Sequence, residues 1–221
     1  MKTKLPLTHL SRLALLAGLG LSTLALSGCI APLLLAGGAV GGTVVVATDR
    51  RTSGIQLEDE SIELKAGQNL RYHLTDRAHI NANSYNRTVL LTGEVANDAD
   101  KAKAEQVVSK IENVAGVSNQ LEVTFTSSLS SRANDSLIAG KVKTALINAP
   151  DLLSNAYDVV VERGDVFLMG RVTEREAKRA AEVASAVSGV KKVVKVFEII
   201  SEEDLARLSQ KPASAASAPI Q

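Results

Sequence analysis

One apolar phrase occurs twice in this chain, and the distance between its copies sets the size of the repeating unit. Val-Leu-Leu-Thr-Gly-Glu-Val at 89–95 returns as Val-Phe-Leu-Met-Gly-Arg-Val at 166–172, an offset of 77 residues. Upstream, residues 62–70 match residues 138–146 at an offset of 76. A unit of this length, present twice in 221 residues, predicts two small tandem domains.

The second copy shows the element order most clearly. Ile138, Val142 and Leu146 are spaced four residues apart and predict one face of a helix. Two β-rich runs, 157–162 and 166–172, then flank Arg163-Gly164-Asp165, where glycine suits the turn of a hairpin.

A helix and a last strand complete the unit. Thr173 and Glu176 have capping-box spacing at the start of an alanine-rich helix, and residues 193–199 form the closing strand. The helix between the second and third strands requires those two strands to run parallel. The predicted fold class is therefore α+β, with two tandem αββαβ sandwiches.

The register of the last strand depends on a second, weaker match. Val-Ala-Gly-Val at 114–117 resembles Val-Ser-Gly-Val at 187–190 at an offset of 73. Four residues are close to one helical turn, so we expect the preceding helix to be about a turn longer in the first copy.

This alignment assigns the faces of the last strand of the second copy. Val194 and Val196 are expected to face the core, which leaves Phe197 and Ile199 on the opposite face. The first copy, a short helix at 202–208 or a partner protein would then have to cover these two residues.

The N-terminal region has the pattern of an export signal. Lys2, Lys4 and Arg12 precede an apolar run at 13–26 that is too short for a typical membrane span. Leu-Ser-Gly-Cys at 26–29 follows, and Cys29 is the only cysteine of the chain. This phrase resembles the lipobox of bacterial lipoproteins, so we expect residues 1–28 to be a signal peptide and Cys29 to be acylated.

The predicted domain plan continues from that cysteine. Residues 29–58 are expected to form a lipid anchor and a glycine-rich tether. The glycine pairs at 37–38 and 41–42 also match the small-residue spacing of packed membrane helices, so contact of residues 30–48 with the bilayer stays open. The two domains are predicted at 59–126 and 132–200, separated by a polar linker at 127–131 and followed by a short helix and a disordered tail at 201–221.

Composition argues against several classes of function. Lysine and arginine total 25 against 24 acidic residues, and aromatic residues make up 3%, which disfavours a nucleic-acid partner. His73 and His79 are six residues apart, which is not the spacing of a helical metal pair, and we expect both to be solvated. No catalytic residue, cofactor, metal site or small-molecule substrate is predicted.

The first helix of the second copy combines apolar and cationic residues outside its buried stripe. Leu137, Lys141, Lys143 and Ile147 all fall there at about 100° per residue. Such a mixture suits a lipid headgroup layer, or alternatively packing against a neighbouring domain. The first copy is expected to lack this mixture, because Ser61 stands in place of Leu137 and Gly67 in place of Lys143.

The repeated unit, the phrase at 166–177 and the lipobox together resemble the dual BON-domain outer-membrane lipoproteins of the DolP family. The resemblance implies a non-enzymatic lipoprotein anchored on the periplasmic side of the outer membrane, where it supports envelope integrity and cell division. It also implies that the second domain binds anionic phospholipid, phosphatidylglycerol or cardiolipin. Carried over by position, the contact residues would be Leu137, Lys141, Val142, Lys143 and Ile147, although periodicity places Val142 inward. The alternative function is a lipid-anchored scaffold for envelope assembly or division proteins.

Overall fold

The computed structural model describes residues 49–74 and 78–210. Cys29, the signal peptide, the tether at 30–48 and the tail at 211–221 lie outside the described residues. Within the described ranges, no helix is both long enough and apolar enough to cross a bilayer.

The first domain contains two helices and a small mixed sheet. Its elements are α1 (Ser53–His73), β1 (His79–Tyr85), β2 (Thr88–Val95), α2 (Asp98–Val108), β3 (Gly116–Asn119) and β4 (Glu122–Val123). Strands β1 and β2 are antiparallel, and β3 and β4 both pair with β2 in parallel. Since α1 begins at Ser53, residues 53–58 belong to a helix rather than to the predicted tether.

The second domain repeats this arrangement. Its elements are α3 (Leu129–Ile147), a short 3₁₀ helix (Ser154–Ala156), β5 (Tyr157–Glu162), β6 (Asp165–Val172), α4 (Glu174–Ser185), β7 (Lys192–Ile199) and α5 (Glu202–Gln210). Strands β5 and β6 are antiparallel and β6 and β7 are parallel. The predicted α+β class, the αββαβ order and the capping box of Thr173 and Glu176 are confirmed.

Alternate residues of the central strands enter different cores. Val89 and Leu91 of β2 pack beneath α1 and α2, and Val166 and Leu168 of β6 pack beneath α3 and α4. The intervening side chains form a third cluster between the two sheets, comprising Tyr85, Leu90, Phe167 and Met169 with Val160, Val194 and Val196 packed against it. The sheets therefore pack face to face, with helices on both outer sides, as the period-two alternation of strands allows.

This packing reverses the expected faces of β7. Val194 and Val196 contact the cluster between the sheets, whereas Phe197 packs into the helix-covered core of its own domain, with its ring 6.0 Å from that of Tyr157. Phe197 is thus covered within its own domain, and Ile199 is half-exposed.

The predicted difference in helix length is also wrong. Helix α2 has 11 residues and α4 has 12. Each is followed by the same turn, since the N–H groups of Val114 and Val190 donate to the carbonyls of Ile111 and Val187. The offset after these helices is therefore 76, the same as between their N-caps Asn97 and Thr173, so neither helix contains an insertion.

The expected linker at 127–131 is also corrected. Ser128 caps α3 by accepting a hydrogen bond from the N–H of Ser131, and the helix starts at Leu129. A serine that precedes a helix satisfies an otherwise unpaired N–H group. The segment that links β4 to α3 is therefore residues 124–128, as long as the predicted linker but three residues earlier.

Candidate functional site

Helix α3 presents an apolar stripe to solvent. Leu129, Leu137 and Ile147 are 79%, 66% and 64% exposed. Leu129 precedes Ile147 by 18 residues, which is about five full helical turns, so the two side chains fall on the same line along the helix. Helix α3 therefore carries exposed apolar groups over its whole length.

Two cations border this stripe. At about 100° per residue, Leu137 and Ile147 lie about 80° apart around the helix axis, and Lys141 and Lys143 lie about 40° beyond them on opposite sides. Both lysines are exposed, and among the described residues neither takes part in a salt bridge. The sole acidic residue of α3, Asp135, is buried, so no carboxylate offsets these charges on the outer face of the helix.

The structure excludes Val142 from this surface. Its side chain is 0% exposed and belongs to the core of the second domain. Periodicity had placed it inward, whereas the family resemblance included it among the contact residues. Because reaching a ligand would require the domain core to open, the candidate site keeps Leu137, Lys141, Lys143 and Ile147, and gains Leu129.

The matching helix of the first domain differs in charge rather than in exposed apolar residues. Leu57 and Leu64 of α1 are 68% and 67% exposed, so this helix also presents apolar residues to solvent. Glu60 and Lys65 are exposed on the same helix, so its surface carries both signs of charge. Helix α1 therefore lacks the uniformly cationic border of α3.

A buried aspartate in each first helix holds the hairpin of its domain. The Asp59 carboxylate accepts hydrogen bonds from the N–H groups of Asn86 and Arg87, at 2.9 and 2.8 Å. Asp135 accepts from the N–H groups of Arg163 and Gly164, both at 2.9 Å. All four turn residues have positive φ, as a tight two-residue hairpin turn requires. These contacts position α1 and α3 on their sheets. The sequence analysis did not predict them.

The interface between the domains contains a cluster of ionisable side chains. His79 faces Glu94 across the β1–β2 pair, and Glu162 approaches from the end of β5 in the other domain. Candidate metal-ligand atoms of these three residues all lie within 4.8 Å of one another. His73 is exposed as expected, but His79 is partly buried, so the prediction that both histidines are solvated is wrong for His79.

The two glutamates of this cluster repel each other, which disfavours the charged form of Glu162. Burial and the nearby Glu94 carboxylate raise the pKa of Glu162 to about 7, although a hydrogen bond from Asn81 acts in the opposite direction. Glu94 is 0% exposed and receives partial compensation from Arg163, whose Nη1 lies 3.4 Å from its Oε1. Two buried carboxylates from different domains therefore lie close together, with the guanidinium groups of Arg132 and Arg163 nearby.

Comparison with known proteins identifies the repeated unit. The BON domain model matches residues 58–124 and 134–201, which correspond to the two αββαβ domains. The chain is 38% identical over 196 residues to the outer membrane lipoprotein DolP of Haemophilus influenzae, covering 88% of this chain and 98% of the relative. This chain belongs to the DolP family of dual BON-domain lipoproteins. It is accordingly an outer-membrane lipoprotein.

Other relatives extend the comparison beyond DolP itself. The 21 kDa hemolysin of Actinobacillus pleuropneumoniae is 31% identical over 154 residues, covering 69% of this chain and 79% of the relative. Among solved structures, CdsD, a structural protein of the type III secretion system of Chlamydia trachomatis, aligns with 71% of this chain and 98% of its own at 13% identity, with a TM-score of 0.27.

Proposed function

We propose that this DolP-family lipoprotein binds anionic phospholipid through helix α3 of its second BON domain and thereby supports outer-membrane integrity without catalysing a reaction. The observation that carries the proposal is the exposed stripe of Leu129, Leu137 and Ile147 with Lys141 and Lys143 at its borders. Apolar side chains of such a helix enter the boundary between headgroups and acyl chains, while lysines extend towards the phosphates.

The lipid anchor would make a modest surface affinity sufficient. Three acyl chains on Cys29 bury far more methylene groups than the single chain that gives only marginal membrane binding. Held at the membrane in this way, α3 meets its ligand at a high effective concentration. Intact mass measurement of the mature protein is expected to show acylation at Cys29; an unmodified cysteine would remove this part of the proposal.

The non-catalytic part of the proposal is supported by the surroundings of the histidines. His79 lies beside the carboxylates of Glu94 and Glu162, and His73 packs edge-on against Tyr72. General base activation of a nucleophile requires the two groups to lie within hydrogen-bonding reach. Cofactors and small-molecule substrates have no role in this proposal.

Vesicle co-sedimentation of a lipid-free form, residues 30–221, tests the proposed surface. Each lysine near an anionic membrane contributes about 1 kcal/mol, so reversing both in Lys141→Glu/Lys143→Glu removes about 2 kcal/mol and adds repulsion of similar size. Binding to phosphatidylglycerol or cardiolipin vesicles should fall by about a hundredfold or more. Vesicles of zwitterionic phosphatidylcholine, which carry no net charge, provide the control.

A matched pair of leucine variants separates the two helices. Leu137→Glu should weaken vesicle binding, whereas Leu64→Glu, at an equally exposed position of α1, should leave it nearly unchanged. Thermal melts establish that both variants are folded. If well-folded α3 variants keep full vesicle binding but lose envelope function, α3 instead docks a protein, as a lipid-anchored scaffold for envelope assembly or division would.

A further inference from the structure

Three side chains with metal-binding atoms meet where the two BON domains touch. His79 and Glu94 are direct partners across the β1–β2 pair, and Glu162 ends β5 of the second domain. Their approach depends on Gly93, whose position leaves no room for a side chain, because a Cβ there would lie 2.0 Å from the carbonyl oxygen of His79. The local backbone thus places the imidazole against the Glu94 carboxylate.

Two atoms of this cluster lack hydrogen-bond partners. Glu162 is 7% exposed, and its Oε1 is buried without a donor, while its Oε2 accepts from Asn81 at 3.1 Å. His79 Nδ1 is also buried and forms no hydrogen bond, although it lies 3.3 Å from Oε2 of Glu94. Unsatisfied buried polar atoms are costly, and these two belong to residues whose candidate ligand atoms lie within 4.8 Å of one another.

The spacing of these atoms suits one divalent ion. Ligands about 2.0–2.1 Å from tetrahedral Zn²⁺ are separated from one another by about 3.3–3.5 Å. His79 Nδ1 and Glu94 Oε2 already have that separation, at 3.3 Å. The third ligand lies within 4.8 Å of the other two, so a carboxylate movement of roughly 1 Å would complete the set.

We propose that His79, Glu94 and Glu162 bind one Zn²⁺ ion that links the first BON domain to the second. Imidazole with carboxylates is a ligand set for zinc, whereas Mg²⁺ and Ca²⁺ prefer sites made entirely of oxygen ligands. Two carboxylates balance the charge of the ion, and a water molecule takes the fourth position. Because the ligands come from both domains, the ion fixes the packing of one sheet against the other.

Arg163 provides an opposing contribution that distinguishes metal binding from a purely structural role. Its guanidinium lies 3.4 Å from Glu94 and 3.5 Å from Glu122, with the side chain 38% exposed. A fixed cation beside a ligand lowers the affinity for a second cation. Removing the Arg163 charge should therefore strengthen zinc binding, whereas removing a ligand should weaken it.

Calorimetric titration of ZnCl₂ into the full mature lipoprotein, purified in detergent without a histidine tag, tests the proposal. One Zn²⁺ should bind per chain and raise the thermal midpoint, and Mg²⁺ at the same concentration should not. Because loss of even an outer-shell partner costs about 10–100-fold in metal affinity, His79→Ala and Glu162→Gln should each weaken binding by at least that factor. His73→Ala, at an exposed histidine, is the matched control and should bind like the wild type.

The Arg163→Asn variant gives the result of opposite sign. Asparagine tolerates the positive φ of 54° at this position and retains the N–H that donates to Asp135. Zinc should bind this variant several-fold more tightly than the wild type. The proposal is overturned if the wild type binds no stoichiometric Zn²⁺, or if folded His79→Ala and Glu162→Gln proteins bind it as well as the wild type does.

Discussion

The guanidinium of Arg50 donates two hydrogen bonds of 2.8 Å to the carboxylate of Glu176, a residue 126 positions later in the chain. Both side chains are only 5% exposed, and Arg50 also donates to the carbonyl of Arg171 at 2.8 Å. Glu176 is at the same time part of the capping box that begins α4. The segment entering the first domain is thus fastened to the second domain before α1 begins.

Replacing Arg50 with alanine should destabilise the protein strongly. Removal of one partner from a buried ion pair leaves an uncompensated charge, which typically costs about 3–5 kcal/mol. The free energy of unfolding, measured by denaturant titration, should fall by about that amount. Arg175→Ala is the control, since Arg175 pairs with Glu202 in an exposed salt bridge and should cost less than about 1 kcal/mol.

Acid should remove the stabilisation that Glu176 supplies. Burial disfavours its charged form, but hydrogen bonds from Arg50 and the Thr173 N–H outweigh burial and lower the pKa of Glu176 below its ordinary 4.5. A lowered folded-state pKa contributes stability above about pH 4.5 that is lost as the pH falls through the folded value. The stability difference between wild type and Glu176→Gln should therefore be full at pH 7 and shrink below pH 4.5. A difference independent of pH would show that the charge of Glu176 contributes nothing.

Asp135 should matter more to stability than its exposed neighbour. Its carboxylate accepts the N–H groups of Arg163 and Gly164, and Asp135→Ala leaves both donors at the hairpin turn without this partner. With about 1–3 kcal/mol for each unsatisfied buried group, the expected loss in the free energy of unfolding is roughly 2–6 kcal/mol. Denaturant titration of both variants measures this loss. Asn134→Ala, one residue earlier and exposed on α3, is the control and should leave the free energy of unfolding nearly unchanged.

The repeat could be found from the sequence because its strongest phrase lies in the central strands. Apolar residues of β2 and β6 face two cores, so nearly every position in them is constrained and the two copies remain alike. This likeness correctly predicted both hairpins, the parallel third strands and the α+β class. The same double burial explains why these strands read as continuous apolar runs.

The faces of β7 could not be predicted because the second alignment was shifted by three residues. The turns after α2 and α4 show that Leu121 corresponds to Phe197, both of which enter the helix-covered cores. An odd shift moves every side chain of a strand to its opposite face. The two Val-x-Gly-Val segments are similar in sequence but are not structurally equivalent.

The two candidate sites were predictable to different degrees. The exposed positions of α3 followed from helical period, but Leu129 was missed because serines at 127–131 suggested a linker instead of a capped helix start. Glu162 approaches His79 and Glu94 only because the two domains dock, which spacing along one chain does not reveal. Histidine spacing alone therefore gave the wrong environment for His79.

Leu129 offers a test of how much of α3 meets the membrane. It is 79% exposed and aligned with Ile147, so it should enter the headgroup boundary if the whole helix lies on the bilayer. Added salt should weaken binding of the wild-type protein to phosphatidylglycerol vesicles, because surface attraction is screened beyond about 8 Å at physiological ionic strength.

Leu129→Glu should weaken binding to these vesicles about as much as Leu137→Glu does. If Leu129→Glu binds like the wild type while Leu137→Glu does not, only the C-terminal half of α3 contacts lipid.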